Sequence, residues 1–237
     1  FPLLKDWIVP RAEEHLVKPE QDLDKVPYLF GPFKDSDIAA LKAAAAQAGR
    51  LANRHGLLRV GGWKGDVDPT LQVDPGVMGI DAMAWLSGYV DIMTLALTRP
   101  EIVREYARII HEWNRKQIQI YLEVTPADLI VRRAWYETTE FWTPAAYRSI
   151  IAPFLKREVD LVHQAGKQFG YIISSAFLPI LDDILDTGID VLIGLDPKEG
   201  KGTDLRVVKR AFAARRRARG GGVSGAGTGG TGTARGA

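Results

Sequence analysis

The chain has 237 residues, 46% hydrophobic and 25% charged, with Lys+Arg 31 against Asp+Glu 29 and a net charge of +2. That is the balance of an ordinary globular protein, long enough for one large or two small domains, and too evenly charged to point to nucleic acid. It contains no cysteine, which excludes disulfides, a thiolate nucleophile and thiolate metal ligands.

Residues 1–34 hold Pro2, Pro10, Pro19, Pro27 and Pro32 and suit an extended, loop-rich approach. Asp35 or Ser36 can cap a helix that runs through an alanine-rich stretch to about His55. Residues 57–60 read as a short strand, and 61–66 as a strand-end loop offering Trp63, Lys64 and Asp66. That loop lacks the Gly-Lys-Ser/Thr ending of a phosphate cradle. Residues 79–97 carry Ile80, Met83, Leu86, Ile92, Met93 and Leu97 at helical spacing. Pro100 opens the next helix, where its missing N–H costs nothing, and that helix ends near Glu123. His111 lies on it without a second histidine one turn away, which speaks against a metal site.

Leu129, Ile130 and Val131 form a short apolar run with a β-branched bias, the pattern of a strand buried on both faces, here read over 129–132. The loop behind it carries arginines, tryptophans, a tyrosine and glutamates in place of Gly, Asn, Asp and Ser. Such groups grip a polar ligand, and in an α/β protein they gather where strands end. The plain alternative is that Trp135 and Trp142 cap the core while Arg132 and Arg133 pair with Glu137 and Glu140. Thr143-Pro144 starts a helix that Pro153 kinks or restarts and that stops at Ala165-Gly166. Residues 169–173 are a strand, 177–185 a short helix, 190–195 a strand ending in Asp196-Pro197, and Asp204 opens a last helix toward Ala211.

This alternation predicts an α/β fold of (β/α)8-barrel type with parallel strands and crossover helices. Four or five strands cannot close eight, so the sheet is open or the barrel incomplete. The first unit, residues 1–211, is the barrel-like domain. Residues 212–237, an Arg/Gly-rich stretch with no acid, are read as a disordered tail. The tail has two readings: a basic RNA-binding segment, or out-of-frame translation of a GC-rich gene, which we prefer because composition changes within a helix. No apolar run approaches the roughly 20 residues of a membrane span, and no leader pattern follows Phe1. A cytoplasmic protein without membrane or nucleic-acid partners is expected, with Phe1 lying inside a longer original chain.

Five stretches then line up with one family. Thr143-Pro144-Ala145-Ala146-Tyr147, Ile151-Ala152-Pro153, His163-Gln164-Ala165-Gly166-Lys167, Phe177-Leu178-Pro179-Ile180-Leu181 and Gly188-Ile189-Asp190-Val191-Leu192 occur in this order. The ordered set resembles the uroporphyrinogen decarboxylase superfamily, which also includes corrinoid- and coenzyme M-linked methyltransferases. The junction at Leu97-Thr98-Arg99-Pro100-Glu101 resembles it too, so the likeness spans about residues 79–210. It implies a barrel with its site at the C-terminal strand ends. Methyltransferase members place a His-x-Cys zinc pair where this chain has Ile173-Ser174-Ser175, so zinc-thiol activation is not supported. The decarboxylase's arginine-rich N-terminal motif and the strands beyond Asp196 are not found, which makes the chain resemble a diverged and truncated member.

The resemblance implies an enzyme that decarboxylates the acidic side chains of a tetrapyrrole, with no cofactor and no metal. A corrinoid-linked methyltransferase of the same superfamily is the alternative, and an inactive fragment or ligand-binding remnant a third. The partner is then a small molecule, a tetrapyrrole or a methyl donor; a homodimer is left open. On chemistry, Arg132 and Arg133 are candidates to hold carboxylates, and strand alternation lets only one point inward. Asp196, at a strand end, is a candidate to stabilise a cationic ring, and Tyr136 to act as acid or orienter. Trp135, Glu137, Ser174 and Ser175 complete the substrate-binding set. Helix capping for Asp196 and the serines, and packing for Tyr136, are the plain alternatives.

Overall fold

The computed structural model describes residues 14–29, 33–62, 76–196 and 203–220, so the expected Trp63-Lys64-Asp66 loop and residues 221–237 lie outside it. Two short helices, α1 (Pro19–Asp22) and α2 (Val26–Leu29), precede the long α3 (Asp35–His55), which stops at Gly56 in a left-handed cap. Strand β1 (Val60–Gly61) pairs in parallel with the first half of β3 (Leu129–Arg133), Val60 opposite Leu129. Strand β2 (Val77–Met78) pairs in parallel with the second half, Val77 opposite Arg132. The other edge of β3 is taken along its whole length by β4 (Gln168–Ile172). So β1 and β2 share one edge, and the Val77 N–H donates to Gly62 O at 2.8 Å. They occupy successive stretches of the same edge of β3. The expected strand at 57–60 begins later, because residues 57–59 lie before the first paired residue, Val60. Arg59 fastens this corner by donating to both carboxylate oxygens of Asp128, at 2.8 and 2.6 Å.

Strand β5 (Val191–Ile193) pairs in parallel with β4, Ile172 opposite Ile193. Every pairing is parallel and the order β1-β3-β4-β5 never doubles back. With crossovers of one hand, that order sends the connecting helices to one face, the arrangement of a barrel rather than a doubly wound sheet. The architecture is therefore an α/β sheet of incomplete (β/α)8-barrel type, as expected.

The helices are α4 (Asp81–Ser87), α5 (Tyr89–Thr98), α6 (Pro100–Val124), α7 (Pro144–Ala146), α8 (Ala152–Gln164) and α9 (Leu181–Thr187). The single helical pattern at 79–97 is split at Gly88, which has φ +82° and a Cβ position blocked by the His15 ring. A π-helical turn, Tyr147–Ile151, lies between α7 and α8. Pro153 has no N–H to give to the turn before it, and a widened turn accommodates that. Helix α6 packs on α8 and β2, and α8 on β4 and α9.

Strand alternation makes two layers. Ile130, Arg132, Phe169 and Tyr171 share one face and are buried, with Arg132 bonded to α8. Leu129, Val131 and Ile172 share the other and cluster with Val191 and Ile193. The terminal unit, residues 204–237, holds α10 (Leu205–Gly220), which carries on past the boundary read at 212. Among the described residues no helix is long and apolar enough to cross a membrane.

Candidate functional site

Parallel strands in register end at one side. Arg133, Ile172 and Ile193 are aligned across β3, β4 and β5, so the loops carrying Trp135, Ser174 and Asp196 leave from the same end. Those loops are tied together. Asp196 N donates to Ser174 O at 3.0 Å, Thr139 N donates to Ala176 O at 3.0 Å, and Ser175 Oγ bonds Glu140 Oε2 at 3.3 Å. Ala176 sits at φ +49°, a left-handed conformation that costs a residue with a Cβ about 1 kcal/mol and that neighbours must enforce. Its carbonyl accepts from both the backbone and the hydroxyl of Thr139, which do so.

The two adjacent arginines part company, as the alternation requires. Arg132 turns to the helix layer and is 2% exposed. Its Nη1 donates to Glu158 Oε2 of α8 at 2.6 Å, and its Nη2 to Glu137 Oε1. Glu158 also accepts from Asn114 Nδ2 at 3.1 Å and from the His111 ring at 3.0 Å, two groups one turn apart on α6. Asn114 in turn clamps both backbone groups of Met78, donating at 2.6 Å and accepting at 3.0 Å. Burial alone would raise Glu158, but the charge of Arg132 and the His111 bond hold its carboxyl below the ordinary value. Burial would likewise pull Arg132 down, and Glu137 and Glu158 outweigh it. The expectation that Arg132 grips a ligand thus meets a guanidinium already committed to two internal carboxylates. Its plainer alternative, pairing with Glu137, is what the fold makes. Glu137 is fully buried and accepts from Arg132, from the Tyr171 hydroxyl and from Ile80 N at 2.7 Å, so its oxygens too are spoken for.

Arg133 lies on the opposite face and only half-buried, its guanidinium 5.7 Å from the Trp135 ring. Beyond it stands an aromatic group: Tyr89 lies 4.6 Å from Phe141 and meets Tyr136 edge-on at 4.9 Å. Trp142 is buried and holds the loop by donating its indole N–H to Tyr136 O at 3.0 Å. Asp81, the first residue of α4, completes the cluster at 2% exposure. Burial first, and then the neighbouring charge of Glu137, push its carboxyl up to about 7, while Arg133 and Arg132 pull it back. Burial and the Asp81 charge push the Tyr89 phenol up as well. Asp81 Oδ1, the Tyr89 hydroxyl and Arg133 Nε are all buried and all without a hydrogen-bond partner among the described residues.

Of the expected residues, then, Arg133, Trp135 and Tyr136 gather with Asp81 and Tyr89. Ser174, Ser175 and Asp196 line the neighbouring strand ends, and Arg132 and Glu137 form the buried support. Sequence reading missed Asp81, Tyr89, Glu158 and Tyr171. The legible signal for Glu158 was a carboxylate on the apolar stripe of Leu155, Val159 and Val162, which a solvated helix would not place there.

The fold defines an α/β protein of incomplete-barrel type, with a cluster of polar and aromatic residues at the C-terminal strand ends. No protein-family profile matches the chain, and no curated protein matches it. Among solved structures, a methyltransferase from Methanosarcina mazei is similar to it with a TM-score of 0.48 and 18% identity, over 58% of this chain and 39% of that one. The chain thus spans about two fifths of that neighbour's length.

Proposed function

We propose that this chain carries an acid–base site that holds the carboxylate of a ring-bearing substrate at Arg133 and exchanges a proton with it at Asp81. The observation that carries the reading is the trio of partnerless polar atoms on Asp81, Tyr89 and Arg133 at one strand end. Leaving a buried polar group unpaired costs about 1–3 kcal/mol, so three in one cluster are an expense that a ligand relieves. Arg133 supplies the cation for a carboxylate, Tyr89 a donor, and Tyr136, Phe141 and Trp135 a set of faces for a planar ring. A carboxyl titrating near 7 can both give and take a proton at neutral pH. Decarboxylation of a carboxylated tetrapyrrole, one activity implied by the sequence resemblance, needs such a donor, because a proton replaces the departing carboxylate. Methyl transfer through a corrinoid, the other implied activity, also places its substrate at the strand ends.

The test is ligand binding by thermal shift and titration with a carboxylated porphyrin, a corrinoid and a small thiol, for the parent, Arg133→Gln and Asp81→Asn. The porphyrin is expected to bind the parent, and Arg133→Gln to weaken it about 10- to 150-fold, the loss of one charge-assisted bond of roughly 1.5–3 kcal/mol. Corrinoid binding without porphyrin binding would favour methyl transfer. A parent that binds none of the three, or an Arg133→Gln that binds like the parent, would overturn the reading.

A further inference from the structure

We propose that Glu137 is the positioning residue of this site: it fixes the start of α4, and with it Asp81, and keeps the proton of the carboxylate pair on Asp81. This rests on the role given above to Asp81.

The local sequence explains how Glu137 reaches that place. A tight turn closes behind β3, with Glu137 N donating to Ala134 O at 3.1 Å, and folds the glutamate back over the strand end. Three donors from three neighbouring segments then seize its carboxylate. Ile80 N, just after β2, and Arg132 of β3 donate to Oε1, and the Tyr171 hydroxyl of β4 donates to Oε2. A side chain so held is fully buried and has no oxygen to spare for a ligand, so the expected contact to substrate gives way to a supporting one.

Two features aim this support at Asp81. Ile80 immediately precedes Asp81, so the 2.7 Å bond from its N–H fixes the first turn of α4. Gly79, one step earlier, lets the carboxylates converge. The direction its Cβ would take is filled by Arg133 O, by Asp81 Oδ1 at 2.6 Å and by Glu137 Oε1 at 2.9 Å. The two acids therefore flank one point in a dry place, where both cannot carry charge cheaply. Glu137 has a guanidinium, a phenol and an amide to stabilise its charge; Asp81 has an oxygen with no partner. The proton therefore stays on Asp81. The other ionisable groups facing Asp81 are Arg132 and Arg133 from β3, which oppose this, and Tyr89 from α5.

The experiment follows the Asp81 carboxyl by NMR across pH in protein labelled at the aspartate side chain, with Asp81→Asn for assignment. Glu137→Gln keeps the shape and removes the charge; Tyr171→Phe keeps the charge and loosens its hold. The parent resonance is expected to titrate near 7, to fall by at least one pH unit in Glu137→Gln, and to fall less in Tyr171→Phe. Should Glu137→Gln not fold, the Tyr171→Phe shift decides. If the parent titrates high and neither variant moves it, Glu137 is only structural, and the inference is wrong while the role of Asp81 survives. If the parent itself titrates as an ordinary aspartate, both fail.

Discussion

Arg132 and Arg133 share a peptide bond and little else. The first is locked between Glu137 and Glu158 away from solvent, and the second stands half-buried beside Trp135. Removing one partner from a buried ion network strands the remaining charges and costs about 3–5 kcal/mol, whereas a partly solvated cation contributes less than about 1 kcal/mol. Arg132→Gln is therefore expected to lower the urea midpoint steeply and Arg133→Gln barely. Equal effects would mean that the two do not occupy different environments. Asp81 gives a second prediction, with its sign set by the direction of its shift. Its folded carboxyl is raised to about 7, above the ordinary range near 4, so the folded state binds the extra proton between those values. Asp81 accordingly favours folding at low pH, and that contribution is lost as pH rises from about 4 to about 7 and stays lost above. The slope is at most about 1.4 kcal/mol per pH unit for one proton. Asp81→Asn should remove it, so the difference in stability between parent and variant, measured by denaturation at several pH values, should change over that window. A constant difference would show that Asp81 titrates alike in both states.

At the scale of elements, the proposed site hangs on where β2 hands over to α4. Gly79 sits in that handover with its Cβ direction filled by a carbonyl and two carboxylates. Gly79→Ala must push backbone or buried acid aside, and overpacking of this kind costs roughly 1–3 kcal/mol. The expected outcome is a lower melting temperature together with weaker porphyrin binding; a variant as stable as the parent would show that the handover is loose. The sequence made the long elements legible. Pro100 and Thr143-Pro144 announce helix starts, apolar spacing carries α6 and α8 through, and the β-branched run at 129–131 announces β3. The handover itself was not legible. Val77-Met78 is too short to show a period, and its partner piece Val60-Gly61 merges into a glycine pair that reads as a loop. Of the expected residues, Arg133 ends β3 and Trp135 and Tyr136 follow it directly, so chain order sufficed to group them. Asp81 and Tyr89 join them only through β2 pairing, and Glu158 meets Arg132 across 26 residues. No local pattern encodes such meetings; they are made when the strands take their order.

For the whole molecule, the sheet order ranks the strands by how well each is held. β3 is paired on both sides, by β4 on one and by β1 and β2 on the other; β4 is paired on both sides by β3 and β5. β1 is two residues long, and β5 is three residues long with every side chain half-buried. An amide opens only when its partners separate, so a strand with one neighbour opens without disturbing the rest, whereas β3 and β4 open only when the sheet comes apart. The site sits on that gradient. Arg132 and Tyr171, which hold Glu137, belong to the two central strands, whereas Asp196 leaves from β5. Native-state hydrogen exchange should therefore show the amides of 129–133 and 168–172 exchanging near the global limit, and those of 60–61 and 191–193 orders of magnitude faster. The supporting network around Glu137 should then persist through the local openings that loosen the Asp196 side. If β5 proves as protected as β4, a segment outside the described residues pairs with its other edge, the sheet continues beyond the five strands described, and the barrel is more complete than this order shows.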